Sequence, residues 1–136
     1  MGLMGDFFST KKTVLVIEDD NEAAEVLGFF LRKRGYNPVR AEDGVKGVQM
    51  ARKIAPDLVW LDIMLPKLDG FEVLSAIKSL PKTKDIPVLV CSALNGMKDV
   101  EKCYGLGAEG YITKPYEFSR ITRKINSILA RKDHFA

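Results

Sequence analysis

Three observations on this sequence predict a single α/β domain built on a parallel sheet with helices wound on both faces. Short apolar runs alternate with amphipathic stretches five times along 136 residues, as strands joined by crossover helices do. The best formed runs are continuously apolar rather than alternating, as strands buried on both faces must be. Acids, a serine and a lysine stand at the carboxyl ends of four of the runs, where open α/β sheets bind their ligands.

With 46% hydrophobic and 29% charged residues, the chain has ample material for one globular core. Its net charge of +3 is spread through interspersed acids and bases. The small basic clusters Lys11-Lys12, Arg32-Lys33-Arg34 and Arg131-Lys132 read as solvated helix ends and tails, so no nucleic-acid partner is expected. Cys91 and Cys103 have neither CxxC spacing nor a nearby histidine and read as free thiols in a reducing compartment. Met1 to Phe8 lacks a basic leader region, and no segment approaches membrane-spanning length. Asp6 stands where an N-myristoylation signal takes Ser or Thr. A cytoplasmic protein without a membrane partner is expected.

Residues 1–12 form an extension, with an alternative start at Met4, to which no chemistry is assigned; Phe7 and Phe8 either pack on the domain or stay disordered. The domain is expected over 13–131, with a tail at 132–136. Val14 to Ile17 make the first strand, which ends abruptly in Glu18, Asp19 and Asp20. Three successive carboxylates repel one another and need bulk water or a cation. Ala23, Val26, Leu27, Phe30 and Leu31 then recur at helical spacing until Gly35 stops the helix. Phe29 falls on the opposite side with Glu22, Glu25 and Arg32, a candidate partner contact. Tyr36 to Arg40 is a more polar run that suits an edge strand. Asp43 caps a helix whose predicted inner face is Val45, Val48 and Ala51, extended by Ile54 and Ala55.

Leu58 to Leu61, bounded by Pro56, is the third strand and delivers Asp62 to its carboxyl end. Asp69 and Gly70 open a helix to Leu80, with Phe71, Leu74 and Ile77 inward. Pro87 to Cys91 is the fourth strand, ending in Ser92 and Ala93. The helix near Met97 to Tyr104 has only a weak apolar stripe and is expected to be the most mobile of the five. Gly110 to Ile112 form the last strand, ending in Thr113, Lys114 and Pro115. A final helix turns Phe118, Ile121, Ile125, Ile128 and Leu129 inward.

In the strand order 2-1-3-4-5, one of the two common doubly wound orders, the first and third strands meet at the topological switch point. That order gathers Glu18, Asp19, Asp62, Ser92 and Lys114 at one sheet edge. Hard oxygen ligands suit Mg²⁺, which takes few carboxylates and keeps several waters; Asp19 and Asp62 directly, with Glu18 through water, make a sensible set. Once the cation and the Lys114 ammonium neutralise the site, an Asp62 oxygen can attack a phosphoryl group to give an aspartyl phosphate, with catalysis mostly by charge stabilisation and alignment.

These residues resemble a receiver domain of the two-component response regulators over roughly residues 13 to 131. Four landmarks match in order: Glu18-Asp19; Asp62 in Leu-Asp-Ile-Met-Leu-Pro followed by Asp69-Gly70; Ser92-Ala93; and Tyr-Ile-Thr-Lys-Pro with Lys114 and Pro115. The resemblance implies a flavodoxin-like fold and phosphorylation of Asp62 by a phosphohistidine on a sensor histidine kinase or histidine phosphotransfer protein. It implies that the Met64 carbonyl completes the magnesium shell, that Lys114 holds a phosphoryl oxygen, and that the Lys114–Pro115 bond is cis. Ser92 would swing to the phosphoryl group and Tyr111 would turn inward behind it, presenting a new surface on the fourth helix, fifth strand and fifth helix to a downstream protein. In this family the side chains two places after the acceptor and the hydroxyl tune hydrolysis of the acyl phosphate. Met64 and Leu94 stand there, and neither can hold a water by hydrogen bonding, so the phosphoryl lifetime is not expected to be especially short. Phe29, Glu22 and Glu25 are the expected kinase-facing patch.

Gly110, preceding Tyr111, departs from DNA-binding members that carry an acid there and dimerise by ion pairs across this face. The chain stops after the fifth helix, which suggests a stand-alone receiver or a domain of a longer protein. Gly105 to Gly110 spell GxGxxG, but between a helix and a strand, the reverse of a dinucleotide site, so they read as a turn. A dehalogenase-type phosphatase needs a second aspartate where Met64 stands. An FMN carrier would not place three acids in its phosphate loop. Serine hydrolase chemistry lacks its histidine, since only His134 is present, in the tail. The remaining alternative is a receiver fold used as a phosphorylation-independent interaction module.

Overall fold

The structure is a computed structural model that describes residues 11–135; the expectations for Met4, Asp6, Phe7 and Phe8 fall outside the described residues. Five parallel strands, β1 (Thr13–Ile17), β2 (Asn37–Ala41), β3 (Leu58–Leu61), β4 (Val88–Ser92) and β5 (Gly110–Thr113), lie in the order β2-β1-β3-β4-β5. They alternate with α1 (Asn21–Lys33), α2 (Gly44–Ile54), α3 (Gly70–Ser79), α4 (Met97–Gly105) and α5 (Phe118–Phe135). The predicted doubly wound, flavodoxin-like architecture is therefore present.

Because side chains alternate across a strand, each strand feeds two cores. Leu15, Ile17, Val59, Leu61, Val88 and Val90 pack with Val73, Leu74 and Ile77 of α3 on one face. Val14, Val16, Leu58, Trp60 and Ile112 pack with Leu27 and Leu31 of α1 and Ile121, Ile125 and Ile128 of α5 on the other. The Trp60 ring meets Tyr116 edge to face at 5.7 Å, while its buried Nε1 has no hydrogen-bond partner among the described residues.

Helix ends follow local chemistry. Asp20, Asp43 and Asp69 cap α1, α2 and α3 by accepting from the amides of Ala23, Lys46 and Phe71, which satisfies donors that a helix start leaves orphaned. α4 starts at Gly96 without a side-chain cap, and only Cys103 of its residues is fully buried, in keeping with its weak apolar stripe.

The inner faces of α1 and α2 differ from the predicted stripes. In α1 the buried residues are Ala24, Leu27, Gly28 and Leu31; Val26 is exposed, and half-buried Phe30 stacks on Phe118 at 4.5 Å. In α2 they are Gly44, Gly47 and Ala51, while Val45 and Ile54 face outward and Ala55 ends the helix in a left-handed conformation. The reason is distance: a Cβ on Gly47 would press against the Ile17 side chain, so this helix approaches the sheet through its smallest residues. Phe118 is likewise exposed rather than core. Phe71 is half-buried beneath the Lys102 ammonium, and Val73 takes the inward place beside Leu74.

Gly70 seats its backbone directly on Ile63, to whose carbonyl its amide donates at 3.0 Å. Gly70→Ala should destabilise the domain by about 3 kcal/mol, whereas Gly105→Ala, in open space, should be neutral or stabilising by up to about 1 kcal/mol; urea midpoints check both. Burial pushes the Cys91 thiol up to about 12 and Cys103 to about 11, from an ordinary 9.0. Both should ignore Ellman's reagent at pH 8 in the native protein and react once urea unfolds it. Because these pKa values are raised by folding, their contribution to stability is complete below pH 9.0 and is lost as the pH rises through the folded values.

Candidate functional site

β1 and β3 are neighbours with Ile17 opposite Leu61, so the residues that follow them, Glu18 and Asp62, emerge side by side. Asp62 is held by its amide on the Ile17 carbonyl at 3.2 Å, and Glu18 by its amide on the Ala41 carbonyl at 3.2 Å. Glu18 is 3% exposed and Asp62 6%, and Asp19 stands at the solvent edge. One carboxylate oxygen from each of the three lies within 4.8 Å of the others.

Lys114 reaches this cluster from the end of β5. Its Nζ donates to Asp62 Oδ2 at 3.0 Å and to Glu18 Oε1 at 3.2 Å. Its backbone amide on the Ser92 carbonyl at 2.8 Å ties the loop to β4, and the Lys114–Pro115 bond is cis. Burial pushes Glu18 above the usual carboxylate range, Lys114 pulls it back, and the Asp62 charge pushes it up again. Burial works against the Lys114 ammonium, but the hydrogen bond and charge of Asp62, with Glu18 behind them, outweigh it and raise its pKa.

Asp62 Oδ1 accepts from the Met64 amide at 2.9 Å, so both oxygens of this carboxylate are oriented by the protein. Met64 is exposed, and with Leu94, Asp19 and Phe71 it lines the cleft beside the acids. Ser92 is fully buried, and its Oγ accepts from the Leu94 amide at 3.2 Å. The Tyr111 hydroxyl donates to the Leu94 carbonyl. The Tyr111 ring is thus already turned in, 9% exposed, and the residues expected to act as a switch converge on the backbone of Leu94. Phe29 is 61% exposed on α1, where Glu22 and Glu25 are exposed as well.

Arg40 is the residue that the sequence pattern did not single out. From β2 its guanidinium donates to the carbonyls of Glu18 at 3.1 and 2.9 Å and of Asp19 at 3.1 Å, and to Asn21 Oδ1 at 2.6 Å. It clamps the backbone of the acidic loop without touching a carboxylate. The available signal was an arginine ending a polar edge strand in a chain that elsewhere spends three acids in a row.

Three carboxylates against one ammonium leave a surplus of two negative charges in a partly buried site. A divalent cation with a preference for hard oxygen matches both the charge and the donor set, so the residues present fit Mg²⁺.

Fold and site together define a doubly wound α/β domain that presents a nearly buried carboxylate, paired with a lysine, and an acidic cluster that fits a divalent cation at its switch point. Residues 14–126 match the response regulator receiver domain model, and the chain belongs to that family. The DNA-binding dual master transcriptional regulator RpaA of Synechocystis is 37% identical over 120 residues, 88% of this chain and 50% of that protein. The chain spans about half the length of the curated relatives it matches. Among solved structures, the receiver domain of a Pseudomonas aeruginosa sensor histidine kinase, with magnesium coordinated in its active site cleft, superposes with a TM-score of 0.79 at 27% identity, covering 90% of this chain and 97% of that one. A CheX–CheY–BeF3–Mg²⁺ complex from Borrelia burgdorferi gives 0.81 at 29% identity, with 86% and 88% covered. Glu18, Asp19 and Asp62 form an acidic cluster of the kind that holds magnesium in such receivers.

Arg40→Ala should weaken Mg²⁺ binding by about tenfold or more through the loosened loop, as loss of an outer-shell support does, with Arg40→Lys recovering part of it. Calorimetric titration of the folded variants is the measurement.

Proposed function

We propose that this receiver domain accepts a phosphoryl group on Asp62 from a phosphohistidine of a sensor histidine kinase or histidine phosphotransfer protein and thereby changes its affinity for a downstream protein. The observation that carries this reading is the treatment of Asp62: a nearly buried carboxylate at a strand end with Oδ2 on Lys114 and Oδ1 on the Met64 amide. A carboxylate serving only to cap a loop would not need an ammonium brought from two strands away.

An Asp62 oxygen forms the new bond to phosphorus as the phosphorus–nitrogen bond to the donor imidazole breaks, and the electron pair leaves with that nitrogen. Lys114 follows the negative charge, passing from the carboxylate to a phosphoryl oxygen. Glu18, Asp19, Asp62 and the Met64 carbonyl would hold Mg²⁺, which would supply positive charge to offset that of the phosphoryl oxygens. The Ser92 hydroxyl donates to the phosphoryl group, which disturbs its bond with the Leu94 amide. Tyr111 shares the Leu94 backbone, so the change reaches the face formed by α4, β5 and α5, the surface for the downstream partner. Met64 and Leu94 offer no hydrogen bond to an attacking water, which favours a phosphoryl group that is not especially short-lived. A cytoplasmic setting, and kinase docking through Phe29, Glu22 and Glu25, belong to the same reading. Among the described residues no helix is long and apolar enough to cross a membrane.

Incubation with acetyl phosphate and Mg²⁺ should add one phosphoryl group by intact mass. Asp62→Asn or chelation should abolish the gain, and chelation after labelling should stop hydrolysis. Lys114→Ala should slow labelling by about 10²-fold or more. No gain under any condition would favour a phosphorylation-independent interaction module.

A further inference from the structure

The two thiols of this domain are closed to oxidants. Cys91 and Cys103 are fully buried, and burial pushes them up to about 12 and about 11, so at neutral pH almost none of the reactive thiolate is present. The sulfur-bearing side chains that solvent reaches are methionines. Among the described residues Met97 is 75% exposed and Met64 57%, while Met50 is half-buried.

Met64 stands against the acceptor carboxylate. It follows Asp62 by two residues in the loop between β3 and α3, and its amide donates to Asp62 Oδ1 at 2.9 Å. Its side chain lines a cleft of about 650 Å³ with Asp19, Phe71 and Leu94. A phosphoryl group carried on Asp62 lies within a side chain's reach of this methionine. The wall that Met64 and Leu94 give the cleft is apolar, since a thioether accepts hydrogen bonds only weakly. Conversion of the thioether to a sulfoxide makes the same side chain polar and gives it an oxygen acceptor. Because Met64 is exposed, that change costs no core packing.

We propose that Met64 is an oxidation site through which hydrogen peroxide shortens the life of a phosphoryl group on Asp62, an inference that rests on the phosphoacceptor reading given above. The methionine sulfur bonds to one peroxide oxygen as the oxygen–oxygen bond breaks. The other oxygen leaves as water with both peroxide hydrogens, and the sulfur gives up the two electrons that the peroxide gains. The sulfoxide oxygen then accepts a hydrogen bond from a water at the phosphorus and holds it in place. That water's oxygen bonds to phosphorus as the bond to Asp62 breaks. The electron pair returns to the carboxylate, and both water hydrogens leave with the inorganic phosphate. Met97 opens α4 outside the lining of the cleft, so its oxidation serves as the comparison.

Mild treatment of the full chain with hydrogen peroxide, followed by peptide mass mapping, should place an added oxygen on Met64 and on Met97 and none on either cysteine. Treated and untreated chains are then labelled with acetyl phosphate and Mg²⁺, freed of the donor, and followed by intact mass as the phosphoryl group is lost. The treated chain should lose it about threefold or more faster, as one added hydrogen bond to the attacking water allows. Met97→Leu should keep that acceleration and Met64→Leu should lose it. Met64→Gln, which carries an amide oxygen in the same place, should hydrolyse faster without any peroxide. Methionine sulfoxide reductase should restore the slower rate to the treated chain. Equal rates with and without peroxide, or an acceleration that survives Met64→Leu, would overturn the proposal and leave the phosphoacceptor reading standing. Failure of the untreated chain to take the label would overturn both.

Discussion

A single ammonium shared between two buried carboxylates is the interaction on which the rest of this structure turns. Lys114 bonds to Glu18 and Asp62 from 96 and 52 residues away, so the contact exists only when β1, β3, β4 and β5 are all in register. Each strand is needed: β1 and β3 bring the acids together, and β4 holds the lysine loop through the Ser92 carbonyl. Like charges taken out of water cost several kcal/mol unless paired, and one cation between three acids pairs them incompletely. The fold therefore holds a site with an electrostatic need that a divalent cation can meet.

That arrangement is supported by backbone more than by side chains. Gly70, packed on Ile63, closes the loop whose Met64 amide orients Asp62. Arg40 fastens the Glu18 and Asp19 carbonyls, so the acidic loop is aimed from behind while its carboxylates stay available. Ser92 and Tyr111 both engage Leu94, which places the backbone of that residue between the site and the α4 side of the domain.

The same topology sorts charge along the sheet axis. Acids favour helix starts and bases favour helix ends because of the helix dipole, and Glu22, Glu72 and Asp99 in first turns against Arg32, Lys33, Arg52, Lys53 and Lys78 in last turns follow that rule. Aligned helices then gather these local preferences at the two ends of the sheet.

The elements and their order along the chain were legible in the sequence because buried parallel strands are continuous apolar runs and because Asp43 and Asp69 announce helix starts with a side chain. The acids, Ser92 and Lys114 were legible for the same reason: each ends a run, and a strand's end is a place in space once the sheet is parallel. The inner faces of α1 and α2 were not. Gly28, Gly44 and Gly47 carry no hydrophobic signal, yet they take buried places, and at Gly47 α2 rests directly on the Ile17 side chain, while Val26 and Val45 face solvent. Arg40 was also out of reach, since its partners are backbone carbonyls 21 and 22 residues away that no residue type advertises. Sequence by itself determined the elements and the chemical groups at their ends, both written in local pattern. Tertiary structure decided which faces touch, which groups share a proton donor, and that Lys82 joins Arg52 and Lys53 at one recess, because those depend on distances between strands and helices far apart in the chain.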